Sequence, residues 1–358
     1  MRDIIVIGGG IAGLSAAAAL AGDARVTLIE AGRQLGTQST ARSAAIFIRN
    51  YGNAVLRALN AQAYPVMSAQ GWLSPRGELL LAGEADSAAF EEYVAGASGL
   101  EVLDARQASD LVPLLRPEKI AQAVYERDAQ DIDVEAAVQH YARVLRAAGG
   151  KIVSGAPVAR IAWRDGLWHV TADAGYSAPV LVNAAGAWGD LVADMAGVRP
   201  VGLVAKRRSA AIVPQEGAAG WPLFGSVAET WYAKPTGGAL MVSPADADPI
   251  APHDVSHGDV WADDMVLAEG LDRFSQATTY DLTRVGHSWA GLRCFVADST
   301  PVAGFDDRAQ GFFWLVGQGG YGVQTSPALA ALTADLVLGR LPGLAGDAVT
   351  ALDVARLR

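Results

Sequence analysis

One cysteine, Cys294, occurs in 358 residues. No intrachain disulfide can form, a disulfide framework is excluded, and the cytoplasm is the expected location. Histidine is also scarce, at five residues, and no Ser-His-Asp or Cys-x-x-Cys pattern is present. His253 and His257 have a metal-like spacing. However, DPIAPHDVSHGD is rich in turn formers and is not a helix that would aim both rings at one ion, so no metal is expected. Basic residues are in deficit, 28 against 38 acidic ones, for a net charge of −10. Such a chain repels phosphate, so neither nucleic acid nor an anionic bilayer is an expected partner. Repeats and low-complexity segments are missing, and the 40 glycines follow no collagen-like period. What remains is a globular chain long enough for about two domains and a sizeable core.

The opening stretch, DIIVIGGGIAGLSAAAAL, is the greasiest. A secretory leader needs a basic start and an unbroken apolar run. Here Arg2 is followed at once by Asp3, and Gly8, Gly9 and Gly10 split the run. A membrane span needs about 20 strongly apolar residues. After Ile7 this stretch is mostly Ala and Gly, so no integral membrane segment is expected. A phosphate-binding turn accounts for it better. Ile4 to Ile7 reads as a buried parallel strand, Ile11 to Ala21 as a helix of small residues, and Val26 to Ile29 as a second strand ending at Glu30. Gly8, Gly10 and Gly13 form the G-x-G-x-x-G spacing between them: a tight turn, a close backbone approach to pyrophosphate, and close packing of helix on strand. The helix start at Ile11 and Ala12 offers free N–H groups to that pyrophosphate. Glu30, with Ala31 beside it, is placed to accept from a ribose diol, and an acid there disfavours a 2′-phosphate.

Three later stretches bear on which dinucleotide binds. GTQSTARSAA places Ser39, Thr40, Arg42, Ser43, Ala44 and Ala45 after the second strand, a loop rich in donors for phosphate and ribose oxygens. LVNAAGAWG runs a strand into Ala185, Gly186 and Trp188, where small residues let the chain pass close to a cofactor. GFFWLVGQGGYGVQTSPALAALTADLVLG reads as strand, glycine loop and helix. A helix starting near Gln324 would aim its positive end over Gly319, Gly320, Tyr321, Gly322 and Val323, which suits a flavin whose reduced form is anionic.

With STARSAA, WLSPRGE, LVNAAGAW, KRRSA, SPADADP, WAGLRCFVAD and QGGYGVQTS, the chain resembles, over nearly its whole length, the FAD-dependent amine and amino-acid oxidoreductases. That group includes the D-amino-acid, glycine and sarcosine oxidases, and within it the D-arginine dehydrogenases are most similar. The resemblance implies an α/β fold: a Rossmann-like FAD-binding domain with a discontinuous, mixed-sheet (α+β) substrate-binding domain. It places residues 1–75, 135–202 and 286–358 in the FAD domain and 76–134 and 203–285 in the substrate domain. VEAAVQHYARVLRAAGGKIVSG agrees, reading as a helix with Ala137, Tyr141, Val144 and Leu145 on one side and then a strand. Further implied cofactor contacts are the Val158 backbone toward adenine, Gly291 and Arg293. FAD is expected to be bound without a covalent link, because the surroundings of Cys294 do not match the sarcosine oxidase linkage site.

An amino acid needs its carboxylate gripped, and arginine forks do this best. Arg208 lies in LVAKRRSAAIV, a strand by composition in which alternation puts Lys206 and Arg208 on one face and Arg207 on the other. Arg293 lies in WAGLRCF. Taken alone, both could be surface or edge-strand charges; the resemblance makes them carboxylate ligands, with Tyr51 and Tyr232 as hydroxyls and Gly320 and Tyr321 nearby. Glu78, at the start of an apolar strand, is either a turn residue paired with Arg76 or, by resemblance, the partner of a cationic substrate side chain. The related enzymes carry a histidine over the flavin where this chain has Ile46, which shifts preference toward bulkier or more apolar substrates. His287 could approach the flavin, but buried structural histidines are commoner than catalytic ones. The implied reaction is oxidative deamination of D-amino acids to 2-oxo acid and ammonia, with hydride passing from the α-carbon to flavin N5 and oxygen or a quinone as the final acceptor. The alternatives are oxidation of a glycine- or sarcosine-type amine or of a 2-hydroxy acid.

Overall fold

A computed structural model describes residues 2–252, 260–282 and 284–358. His253 and His257 lie outside the described residues. Two large sheets organise the chain. The first has six strands, in the order Val302–Phe305, Phe312–Val316, Val180–Asn183, Arg2–Ile7, Ala24–Glu30 and Lys151–Ser154. All its pairings are parallel except the outermost, Val302–Phe305 with Phe312–Val316. Parallel strands must be covered on both faces, which is why IIVI and VLVN read as unbroken apolar runs. Helix Ile11–Leu20 carries almost no polar side chain and is buried nearly all round, as a helix enclosed by other elements should be. It shares one core with helices Val134–Ala147 and Gly322–Leu338.

The expected strand–turn–helix–strand at the start is therefore present, as is the helix carrying Ala137, Tyr141 and Leu145 toward the core, with Val144 packed at its margin. The chain leaves Arg2–Ile7 and returns on one side of it as Ala24–Glu30 and on the other as Val180–Asn183. A crevice opens at the carboxyl ends of strands at such a reversal.

The second sheet has eight strands: Ser288–Phe295, Val204–Pro214, Ala239–Ser243, Tyr232–Thr236, Leu223–Ser226, Glu78–Ala82, Gln122–Glu126 and Glu101–Leu103. Only Leu223–Ser226 and Glu78–Ala82 run parallel; the other neighbours are antiparallel. Strand Ser288–Phe295 pairs along its whole length with Val204–Pro214 in this sheet, although it follows the boundary that the sequence suggested at residue 286. Two three-stranded antiparallel sheets complete the fold, one of which joins Ile46–Phe47, Gln130–Ile132 and Leu73–Pro75. Among the described residues no helix is long and apolar enough to cross a membrane.

Candidate active site

The crevice at the carboxyl ends of the parallel strands continues as one cleft of about 520 Å³ to the eight-stranded sheet. Its first part is built from backbone. Gly8 sits at φ 112°, a conformation costly for any residue with a Cβ. A side chain on Gly13 would run into the Gly8 carbonyl, so the glycine is what lets the helix rest on the strand. Helix Ile11–Leu20 has no side-chain cap of its own; Ile11 N donates instead to Thr40 Oγ1 at 3.0 Å. Glu30 accepts from Gly9 N at 2.5 Å and Gly32 N at 2.6 Å, which fixes its carboxylate at the cleft wall. Helix Gly322–Leu338 likewise starts at the cleft without a side-chain cap.

These features fit a dinucleotide. The cleft has glycine walls that a Cβ would fill, two helix starts whose own N-cap residues supply no side-chain cap, and Gln318, whose Nε2 is buried without a hydrogen-bond partner among the described residues. Helix N-termini with a positive dipole end suit a pyrophosphate. Of the residues expected at the cofactor, Gly13 and Tyr321 alone do not line the cleft. Gly13 acts through packing, and Tyr321 sets its ring edge-on to Tyr51 at 4.7 Å between centroids. Gln324 lines the cleft, but its amide is spent within the protein: Nε2 donates to Asn60 Oδ1 at 2.7 Å and to Ile48 O at 3.3 Å.

The loop following Gly36 is fastened across to the second sheet. Ser39 Oγ donates to Leu292 O at 2.6 Å, Arg42 Nη1 donates to Ala290 O at 3.1 Å, and Gly319 N donates to Cys294 O at 2.8 Å. Lys234 makes the strongest tie. The residue is 8% exposed, and Nζ donates to Ala44 O at 2.7 Å and Ala45 O at 3.2 Å while pairing with Asp131 at 2.8 Å. Burial lowers its pKa, and Asp131 works against that shift. Ala45 has φ 52°, left-handed backbone that alanine rarely adopts, and the ammonium holds its carbonyl there. Removing one partner of a buried pair is strongly destabilising. Lys234→Met is expected to lower unfolding free energy by about 3 kcal/mol in denaturant titration, the lower end of the roughly 3–5 kcal/mol usual for such a loss because Asp131 keeps Arg76. No change in the titration would mean that Ala45 holds its conformation unaided.

Beyond the cofactor part, Ile46, Tyr51, Glu78, Arg208, Tyr232, Arg293 and Gly320 line the same cleft. Alternation along Val204–Pro214 sends Arg207 to Asp246, Asp248 and Asp263 and Arg208 into the cleft. Asp246 also accepts from Ser209 N and Oγ at 2.6 and 2.8 Å, locking that register. Arg208 Nε is buried with no hydrogen-bond partner among the described residues, and Arg293 Nη1 donates to Tyr51 Oη at 3.3 Å. Tyr51, Tyr232 and Glu229 act on Arg293 from the same lining; two guanidinium groups facing one cleft still form a site for an anion, and their forks match a carboxylate.

Glu78 is not the solvated partner of Arg76. It is 7% exposed, while Arg76 pairs with Asp131 at 2.6 Å. Tyr93 Oη donates to Glu78 at 3.1 Å. Burial first, and then the neighbouring Glu126, push its carboxyl up to about 8. His287 stacks on Trp289, with 15° between the rings, and does not line the cleft. Tyr93, Leu80, Leu223, Val227, Glu229 and Trp231 complete the wall around Glu78. Sequence reasoning missed them because Leu223, Val227, Glu229 and Trp231 come to Glu78 through the parallel pairing of Leu223–Ser226 with Glu78–Ala82, and Tyr93 comes from helix Ser87–Ala95.

The profile of the family described as "DAO: FAD dependent oxidoreductase" matches residues 3–336. The chain belongs to this family. As a DAO-family protein it is similar to human mitochondrial sarcosine dehydrogenase, with 26% identity over 263 residues, 68% of this chain and 28% of that protein. It thus spans little more than a quarter of that relative's length. Among solved structures, it resembles L-proline dehydrogenase from P. horikoshii, with a TM-score of 0.85, 21% identity, and coverage of 99% and 97% of the two chains. Glycine oxidase from Geobacillus kaustophilus gives a TM-score of 0.86 at 18% identity, covering 99% of each chain. At these identities the likeness carries the DAO fold. The family description gives FAD-dependent oxidoreductase, while the substrate has to be argued from the cleft.

Proposed function

We propose that this protein catalyses FAD-dependent oxidative deamination of D-amino acids and admits cationic as well as apolar side chains. The observation that carries the reading is that one cleft is lined both by Arg208 and Arg293 and, further along the same eight-stranded sheet, by the buried Glu78, with Leu80, Leu223, Val227 and Trp231. The arginines grip the α-carboxylate, with the Tyr51 and Tyr232 hydroxyls beside it. A long side chain then lays its apolar stem along the leucines and valine and presents its end to Glu78. Gripping both ends fixes the α-carbon, and orientation supplies much of the rate in such a reaction.

Gly8, Gly10, Glu30, Thr40, Arg42 and the 319–323 loop would hold FAD, which when bound supplies the hydride acceptor. We take FAD to be held without a covalent bond, since burial pushes the Cys294 thiol up to about 12 and leaves no thiolate to attack the ring. The described lining contains no histidine, which disfavours a 2-hydroxy acid, whose O–H needs a base. An amine that binds neutral needs none. The names of the relatives, sarcosine and L-proline dehydrogenases among them, favour a second reading, oxidation of a secondary amine.

Anaerobic titration of the yellow holoprotein separates these readings. D-Arginine, D-lysine or D-leucine should bleach the flavin band. Bleaching by sarcosine or L-amino acids alone would replace the D-amino-acid reading, and adding oxygen or a quinone afterwards identifies the acceptor.

Glu78 also gives a stability signature. Between its usual value of 4.5 and about 8, the folded chain keeps a proton that the unfolded chain has lost. Stability should therefore fall as pH rises through that window, by up to about 1.4 kcal/mol per pH unit. Glu78→Gln is expected to flatten this slope in denaturant titrations across the same window. An equal slope in the variant would mean that the Glu78 carboxyl is ionised throughout.

A further inference from the structure

Glu78 does not stand alone. In the antiparallel pairing of Glu78–Ala82 with Gln122–Glu126, Glu78 sits directly opposite Glu126, so both carboxyl groups lie on one face of the sheet. Glu126 is 3% exposed and does not line the cleft. It accepts from Arg49 N at 2.7 Å and from Asn50 Nδ2 at 2.6 Å. Glu78 receives one phenol, Tyr93, from helix Ser87–Ala95. The other charged group acting on Glu78 is Glu229, from the turn after Leu223–Ser226. No cation acts on it among the described residues; Arg49 lies at Glu126 and Arg57 at Tyr93.

Resting on the amino-acid reading above, we propose that Glu78 and Glu126 form a coupled acid pair that holds one proton in the ligand-free protein and releases it to solvent when a cationic side chain docks on Glu78. Glu126 is then a specificity-determining residue that the substrate never touches.

Two opposed carboxylates in a desolvated pocket cannot both ionise cheaply. Burial pushes Glu126 up as well, but the Asn50 and Arg49 donors pull it down. Glu126 is therefore the charged member, and the shared proton sits on Glu78. Docking breaks the Glu78 carboxyl O–H bond, sends that proton to water and leaves a carboxylate paired with the incoming cation. No bond of the substrate changes in this step. A neutral side chain leaves the proton in place. Preference for cationic over neutral side chains must then rise with pH, by up to tenfold per unit for a single linked proton, and level off above the pair's own titration near about 8.

The test compares D-arginine with D-citrulline, its neutral isostere, in anaerobic flavin reduction by the holoenzyme. The ratio of the two dissociation constants is followed across the pH range in which the protein stays folded. The α-amino and α-carboxyl groups are common to both and cancel in the ratio. The expected result is a ratio that climbs toward tenfold per pH unit and bends to a plateau. Tyr93→Phe, which removes a donor to the ionised form, should move the bend up. Glu126→Gln, which removes the like charge, should move it down. A ratio that is flat with pH, while both compounds reduce the flavin, overturns the acid pair and leaves the function standing. A bend that neither variant moves also overturns it. Reduction by D-citrulline but not D-arginine overturns the cation reading of Glu78 along with the pair, and reduction by neither overturns the D-amino-acid function itself.

Discussion

Arg293→Met is expected to lower kcat/KM for the amino-acid substrate by roughly three orders of magnitude, chiefly through KM, with FAD retained. Removing one partner of a buried, hydrogen-bonded ion pair costs about 3–5 kcal/mol, and each 1.4 kcal/mol is about tenfold. The guanidinium reaches Tyr51 Oη at 3.3 Å, and its stem leaves a strand that is hydrogen-bonded along its whole length to Val204–Pro214. The backbone should therefore not notice the change. Arg293→Lys keeps the charge and loses the fork, so it should fall between the variant and the parent. Steady-state kinetics with a D-amino acid checks both. An unchanged kcat/KM in Arg293→Met would mean that the carboxylate binds elsewhere.

Gly13→Val is expected to give a protein without flavin colour. Its Cβ would strike the Gly8 carbonyl, which is backbone and cannot swing away. Helix Ile11–Leu20 must then lift from the sheet, and the Gly8–Gly10 turn loses the shape that a pyrophosphate needs. Overpacking of this sort costs about 1–3 kcal/mol where side chains can yield, and more where they cannot. Gly22→Val is the matched control. Nothing lies within 4 Å of a Cβ at Gly22, so this variant should stay yellow. If Gly13→Val binds FAD as tightly as the parent, the G-x-G-x-x-G turn is not the pyrophosphate site.

The nucleotide half was legible because its signals are local. A β-branched run, three glycines at fixed spacing, a helix of small residues and a terminal acid occupy the first 30 positions and need no distant partner. The alternation of Lys206, Arg207 and Arg208 was equally local, and it separates the inward Arg208 from the Arg207 that pairs with three aspartates. The specificity wall was not legible. Glu78 registers in sequence only as a charge beside leucines, and whether it is wet or dry depends on Tyr93, Glu126 and the parallel neighbour strand Leu223–Ser226. Lys234 reads as an ordinary strand charge until the fold brings it to the carbonyls of residues 44 and 45, some 190 positions away. Gln324 reads in sequence as a residue at a helix start; it lines the cleft while its amide is held by Asn60, a partner that helix propensity cannot reveal.

The stitching of Ser39 to Leu292, Arg42 to Ala290 and Gly319 to Cys294 ties the loops at residues 39–42 and 319 to the Arg293 strand. The cleft residues Leu80, Tyr93, Val227 and Trp231 take part in none of these three bonds. A mutant library at these positions is therefore expected to change side-chain preference while leaving those ties in place. Saturation of those four positions is the shortest route to new substrates.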